Sequence, residues 1–319
     1  MTNRPGVRTV LGDIAPGQLG PTDYHEHLFQ VTPLLPGEDL DDEHASTAEA
    51  LSLRQAGASA MVEATPLGLG RRPSAVARVA AVSGLHVVHT SGAHREAHYG
   101  TGHPIARWDS NALGARFTRD LFVGMTEDNG DAALAPDGSP VRAGLLKLGI
   151  GYWSITRFER RVAAVVGKIS GESGVPVMVH LEHGSAAHEV LDLLLQHECL
   201  PQHVALAHVD RNPDAGLMLE LASRGALLGF DGPARPQRWP DSVLLDCISA
   251  VVAGGGGANL LLGGDVARRS RYQAYGGMPG LRYLFDRFVP RLRKELGDLS
   301  TDQILVDNPA RWLTWSLPA

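Results

Sequence analysis

Eight short apolar runs punctuate the chain, at residues 22–28, 59–64, 85–90, 143–148, 175–180, 203–208, 226–230 and 259–264. Each has the length of a strand and is too short for a typical helix. Between them, residues 73–82, 157–170, 185–196, 213–223 and 241–253 read as helices. Ser185 is the expected cap of the third, and proline or aspartate stands near the start of the last two. Alternation of strand and helix predicts a parallel sheet with crossover helices, and eight units favour closure into a barrel. Lys147 and His180 are 33 residues apart and His180 and His208 are 28 apart, each about one βα unit of roughly 30 residues. Residues 91–141 are too long for a plain connection and are expected to carry short helices and cover the active face. The glycines at 254–257 predict a helix-to-strand turn and no phosphate loop, since no helix opens after them and no lysine follows. The tail Asp307-Asn308-Pro309-Ala310-Arg311-Trp312-Leu313 reads as a capped closing helix. Without repeats, low-complexity tracts or linkers, residues 1–319 are expected to form one α/β domain.

Polar residues break this pattern at particular places. Lys147 lies within Ala143-Gly144-Leu145-Leu146-Lys147-Leu148-Gly149. Desolvating an ammonium is costly, so a lysine there needs a partner, a neutral state or a chemical change. His25 and His27 are two apart, which on a strand turns both to one face. A His-Glu-His triplet alone fits any loop, and the helical His-Glu-x-x-His zinc motif is absent. His180 and His208 each end an apolar run, where a single histidine is more often a satisfied core residue. Two of them, on neighbouring strands and both at the C-terminal end, point to the functional face of a barrel. Asp265 follows Leu260-Leu261-Leu262-Gly263-Gly264, where a carboxylate needs a cation. Together these side chains read as the donor set of a two-metal hydrolase. Neutral imidazoles hold zinc, manganese or cobalt without cancelling its charge. Two divalent ions roughly 3.5–4 Å apart share a bridging hydroxide and lower its pKa. Lys147, carboxylated by carbon dioxide, would bridge them through two oxygens, and Asp265 would bind one ion and carry the proton.

Composition narrows the partners. The 319 residues are 44% hydrophobic and 20% charged, with net charge −6, which disfavours nucleic acid or an anionic membrane. No apolar run approaches the roughly 18 residues of a membrane span. The first thirteen residues lack a secretory core, and Cys199 and Cys247 form neither a disulfide scaffold nor a zinc motif. A reducing cytoplasm is the expected location.

The segments Gly20-Pro21-Thr22-Asp23-Tyr24-His25-Glu26-His27-Leu28, Ala143 to Gly149, His180, His208-Val209-Asp210-Arg211-Asn212-Pro213, Gly263-Gly264-Asp265 and Asn308-Pro309-Ala310-Arg311 resemble the phosphotriesterase branch of the amidohydrolase superfamily. The likeness spans about residue 6 to 315 and is greater to the phosphotriesterase-related and lactonase-like members than to pesticide hydrolases. It implies a (β/α)8 TIM barrel with a binuclear centre at the C-terminal ends of the strands. His25, His27, Lys147 and Asp265 would hold the more buried ion, and Lys147, His180 and His208 the more exposed one. A homodimer is the family-level expectation.

Arg268, Arg269, Arg271 and Tyr272 follow the last strand, Tyr99, His94 and His98 follow the third, and Arg235 and Arg238 follow the seventh. Arginine suits oxyanions, although these residues also fit solvated helix starts or ion pairs with Asp231 and Asp241. The expectation is a lactone or carboxylic ester bearing a phosphate or carboxylate, with Tyr99, Arg268, Arg269 and Tyr272 contacting it. Phosphotriester hydrolysis and hydrolysis of a small acylated amine are the competing readings. Asp210 and Arg211 are expected either to orient His208 or to cap the next helix.

Overall fold

The computed structural model describes residues 6–100, 102–233, 235 and 238–315. A hairpin of β1 (Val7–Thr9) and β2 (Gly12–Ile14) precedes eight parallel strands. These are β3 (Thr22–Glu26), β4 (Ala60–Glu63), β5 (His86–Gly92), β6 (Leu145–Ile150), β7 (Val177–Leu181), β8 (Val204–Ala207), β9 (Leu227–Phe230) and β10 (Leu260–Leu262). Their order in the sheet is their order in the chain, the topology that successive crossover helices produce. The first and last strands meet. Asp265 N, just past β10, donates to His25 O at 2.8 Å. A Cβ at Gly263 would stand 2.9 Å from Asp23 Oδ1 and 3.0 Å from His25 N, so only glycine lets the edges approach this closely. Eight strands and their helices thus form the expected (β/α)8 barrel.

The helices are α1 (Glu43–Ala56), α2 (Pro73–Ser83), α3 (Pro104–Arg107), α4 (Ser110–Phe122), α5 (Arg157–Ser173), α6 (Ala187–Leu195), α7 (Ala215–Ser223), α8 (Asp241–Ala253), α9 (Val289–Asp302) and α10 (Asn308–Leu313). Local chemistry sets several ends. Thr156 and Glu159 form a reciprocal capping box at α5, and Asp214 caps α7 through Leu217 N. Helices α1 and α9 and the hairpin are additions to the pattern read from sequence. Two of the five buried positions of α1 are the polar Ser46 and Glu49, which blurs its apolar stripe. Ser185 does not cap α6; its Oγ donates to Glu182 O and accepts from Trp153 N. Nor is α10 capped by Asp307, whose φ −71 and ψ −45 continue the helical turn before it. Among the described residues of segment 91–141, His94, Arg95 and His98 line the cavity at the mouth, while α4 packs against α5 outside the barrel.

Strand alternation sorts side chains into two apolar layers. Leu146, Leu148, Val177, Val179, Leu206, Leu260 and Leu262 pack outward against the helices. Leu145, Met178, Ala205, Ala207, Leu227 and Leu261 fill the barrel interior. A fully buried side chain of this kind contributes roughly 1.5–3 kcal/mol. Lys147 and His180 follow Leu145 and Met178 by two residues, so the pleat itself turns them inward. No helix among the described residues is long and apolar enough to cross a membrane.

Candidate metal centre

The six expected ligands converge at the C-terminal mouth of the barrel. His27 Nε2 lies 3.5 Å and His25 Nε2 3.8 Å from Asp265 Oδ1. Lys147 Nζ stands 3.5 Å from His25 Nε2 and donates to Ala64 O at 2.8 Å. His208 Nε2 and His180 Nδ1 are 2.8 Å apart. All six residues are buried.

Each of the four imidazoles uses one nitrogen to meet the oxygen of a supporting side chain, behind the site for His25, His27 and His208 and on the cavity wall for His180. His25 Nδ1 reaches Asp231 Oδ2 at 3.1 Å, His208 Nδ1 reaches Asp231 Oδ1 at 2.5 Å, His27 Nδ1 reaches Thr65 Oγ1 at 2.7 Å, and His180 Nε2 reaches Glu182 Oε2 at 3.0 Å. Such partners fix tautomer and ring angle in metal sites. Burial pushes His27 and His208 down to about 3 and His180 well below the usual range, so the rings are neutral. His180 Nδ1 and His208 Nε2 are the ring nitrogens left on the mouth side, and as neutral imidazole nitrogens they suit metal coordination. The donor set therefore fits divalent metal. Potential ligand atoms of His25, His208, Asp231 and Asp265 lie within 4.8 Å of one another, but the Asp231 oxygens already accept from Tyr24 Oη, His25 Nδ1, His208 N and His208 Nδ1. Its geometry is that of an orienting group.

Electrostatics follow from burial and neighbours. Burial alone would raise Asp265; Arg235, then His25 and His27, outweigh it and hold the carboxyl well below its ordinary value. Asp231 is likewise held low, by His208 and His25 against burial. Burial brings Lys147 down to about 8, so the neutral amine is populated near physiological pH. Asp210, raised to about 8 by burial and then by Asp231, accepts from Asp231 N at 3.0 Å and Gly232 N at 2.6 Å. Arg211 places a nitrogen 3.3 Å from His208 Nε2 and 3.6 Å from Asp265 Oδ2. Asp210 thus supports the Asp231 turn while Arg211 touches His208 itself.

Backbone geometry completes the set. Regular pleating would turn His208, two residues after outward-facing Leu206, toward the helices. Its φ of +69° swings the ring back into the mouth, and Asp265 is also left-handed at +39°. Such positions cost about 1–3 kcal/mol each and are retained where surrounding contacts fix them. His25 follows the interior residue Tyr24, and a register shift between Asp23 and Glu26 lets it join His27 on the inner side.

The cavity above these residues has a volume of about 330 Å³. Five arginines line it (95, 211, 235, 268 and 271) against the two carboxylates Glu182 and Asp265. Arg95 pairs with Glu182 at 3.2 Å, and Arg235 contacts Asp265. Burial, then Arg235 and Arg268, lower Arg271 to about 10. Of the four residues expected to contact substrate, only Arg268 lines this cavity. The Tyr99 hydroxyl instead bridges His94 N and Leu67 O, Tyr272 donates to His27 O, and the Arg269 guanidinium lies 5.5 Å from the Tyr275 ring centre. Tyrosines at loop starts were drawn into the core because an apolar ring and a backbone partner were both available there. His94 and His98 do line the cavity, their ring centres 3.7 Å apart.

Sequence reading gave Asp231 no role beyond an ion pair. One signal was present: it follows the run of β9 as Asp265 follows that of β10. Asp231→Asn is expected to weaken metal binding by about 10–100-fold, measured by metal analysis after graded chelation. Unchanged retention of metal would show that the two histidines orient themselves.

Residues 5–313 match the phosphotriesterase family. The chain is 30% identical to a phospho-furanose lactonase of Mycoplasmopsis synoviae, over 97% of this chain and 92% of the relative. Among solved structures, an amidohydrolase from Mycoplasma synoviae superposes with a TM-score of 0.91 at 29% identity, covering 100% of this chain and 94% of that one. A lactonase from Listeria monocytogenes superposes with a TM-score of 0.87 at 29% identity, covering 98% and 99%. With this match along nearly its whole length and a barrel mouth built as described, the chain belongs to the phosphotriesterase family.

Proposed function

We propose that this hydrolase is a binuclear metal-dependent lactonase whose substrate bears a phosphate or carboxylate. The observation that carries the reading is the meeting of a metal-ready donor set with an arginine-rich wall in one cavity. The similarity to a phospho-furanose lactonase and to a lactonase structure agrees with it. His25, His27, Lys147 and Asp265 would hold one ion, and Lys147, His180 and His208 the other. What such ions supply when bound is Lewis acidity and a lowered pKa for water. Zinc fits the histidine-rich donors, and manganese and cobalt fit them as well. Lys147, buried and partly neutral, attacks carbon dioxide through Nζ and loses a proton, becoming a carbamate with two donor oxygens.

The chain's own groups then account for the hydrolysis. Asp265 accepts a proton from the attacking water and returns it to the alkoxide released when the lactone C–O bond breaks. Arg211, beside both His208 and Asp265, faces the place where charge develops. Arg268 and Arg271 hold the anionic group, since neither is ion-paired with a carboxylate among the described residues. Arg268→Ala is expected to raise KM for a phosphorylated furanose lactone by about tenfold or more while changing kcat little. Steady-state kinetics on matched neutral and phosphorylated lactones test this. Equal KM values for the two substrates in the parent enzyme would refute the anionic-substrate reading.

A further inference from the structure

The metal-facing cavity is not closed on its outer side. A second chamber of about 270 Å³ shares Glu182, Arg211, Arg235, Arg268 and Arg271 with it, and adds His183, Asp210, Gly232, Arg238, Trp239 and Leu244. A third, of about 500 Å³, shares His183, Arg211 and Arg238 with the second and ends on Tyr152 and Trp153. Small-molecule sites span roughly 300–1,000 Å³, so the first cavity alone suits a small lactone and the joined cavities suit a longer molecule.

The added walls have a definite chemistry. Trp239 is 41% exposed, yet its Nε1 donates to Arg211 O at 3.3 Å, which fixes the ring and leaves it presented to the chamber. Trp153 is 64% exposed and has a φ of +45°, a backbone state that a bulky side chain rarely adopts. A hydrogen bond from Trp153 N to Ser185 Oγ, at 3.1 Å, holds it there. Beside it, Tyr152 meets His183 edge-on with ring centres 5.6 Å apart. An exposed tryptophan in a strained, anchored turn points to a function at that position. Arg238, like Arg268 and Arg271, is not ion-paired with a carboxylate among the described residues. Glu38 acts through space on Arg268 and Arg271, but its carboxylate accepts from Ser270 N and Ser270 Oγ. Flat aromatic faces next to unneutralised guanidinium groups suit a planar ring attached to an anion.

We infer that the substrate carries, beyond its anionic group, an aryl or heteroaryl moiety that lies in the second chamber against Trp239, with Trp153 and Tyr152 at the outer end. This rests on the reading of the site as one for anionic substrates and names the part of the molecule that reading leaves open.

Titration calorimetry on the metal-loaded enzyme with inorganic phosphate and with 2-naphthyl phosphate tests it. The naphthyl ester is expected to bind about tenfold more tightly, the gain of one good aromatic contact. Trp239→Ala should bring the ratio of the two affinities close to one, Trp239→Phe should restore most of it, and Trp153→Ala, at the outer end beyond the reach of this probe, should leave it nearly unchanged. Equal affinities in the parent enzyme, or a preference that survives Trp239→Ala, would overturn the inference while leaving the lactonase reading intact. Failure of both probes to bind would overturn the inference together with the anionic-substrate reading. Aryl preference in an enzyme that opens no lactone would sustain the inference and reject the lactonase.

Discussion

Lys147→Ala is expected to lose metal and to lower turnover by on the order of a thousandfold or more, with partial recovery when a short carboxylic acid is added. The amine is fully buried, hydrogen-bonded to Ala64 O and 3.5 Å from His25 Nε2, and it lines the same cavity as the other five candidate ligands. Burial lowers its affinity for a proton to about 8, which favours the nucleophilic amine that reacts with carbon dioxide. Alanine leaves a space of lysine length in the cavity wall beside His25, and a free carboxylate can enter it and offer two oxygens. Metal analysis and activity with increasing acetate or propionate check the expectation. Two ions retained by the alanine variant, without any rescue, would make Lys147 an ordinary buried lysine that serves the fold.

Asp265→Asn is expected to lower kcat by about 10²–10⁴-fold, the range of a lost general acid–base group, with the barrel intact by circular dichroism. Arg235 and the histidines hold Asp265 ionised against the cost of burial, so at neutral pH it is the unprotonated carboxylate that a proton acceptor or a cation ligand must be. Asparagine keeps the shape and one acceptor oxygen but takes up no proton. Metal content is measured on the same samples, because Asp265 also stands among the candidate ligands. A variant that keeps two ions and near-normal kcat would remove Asp265 from proton transfer.

The arrangement of the mouth explains why one carboxylate behind the donor set matters as much as those within it. Asp231 touches one histidine of each proposed ion site, and Tyr24 Oη reaches the same carboxylate at 2.5 Å. Gly229 makes room for that hydroxyl, since a Cβ there would collide with it. Strands β3, β8 and β9 are thereby tied together below the site, and a shift in one ring is passed to the other.

The eight barrel strands and their order were legible in the sequence, because run length and alternation with helices are local properties. The runs around Lys147 and His180 are apolar at both parities, so closure of the barrel decided that these two side chains point inward. His208 was identified by its place at the end of a run, although its parity points outward; only the left-handed backbone sets its direction. The functions of Tyr99 and Tyr272 at the mouth could not be read in this way. Their hydroxyls were taken by Leu67, His94 and His27, and no spacing along the chain encodes those meetings. The same holds for Asp231, whose partners lie 23 and 206 residues away. The sequence by itself determined a barrel and most of its metal-ready donors, because alternation and strand ends are local properties. Tertiary structure alone decided which loop residues face the cavity and which carboxylate orients the histidines, because those contacts depend on closure of strands far apart in the chain.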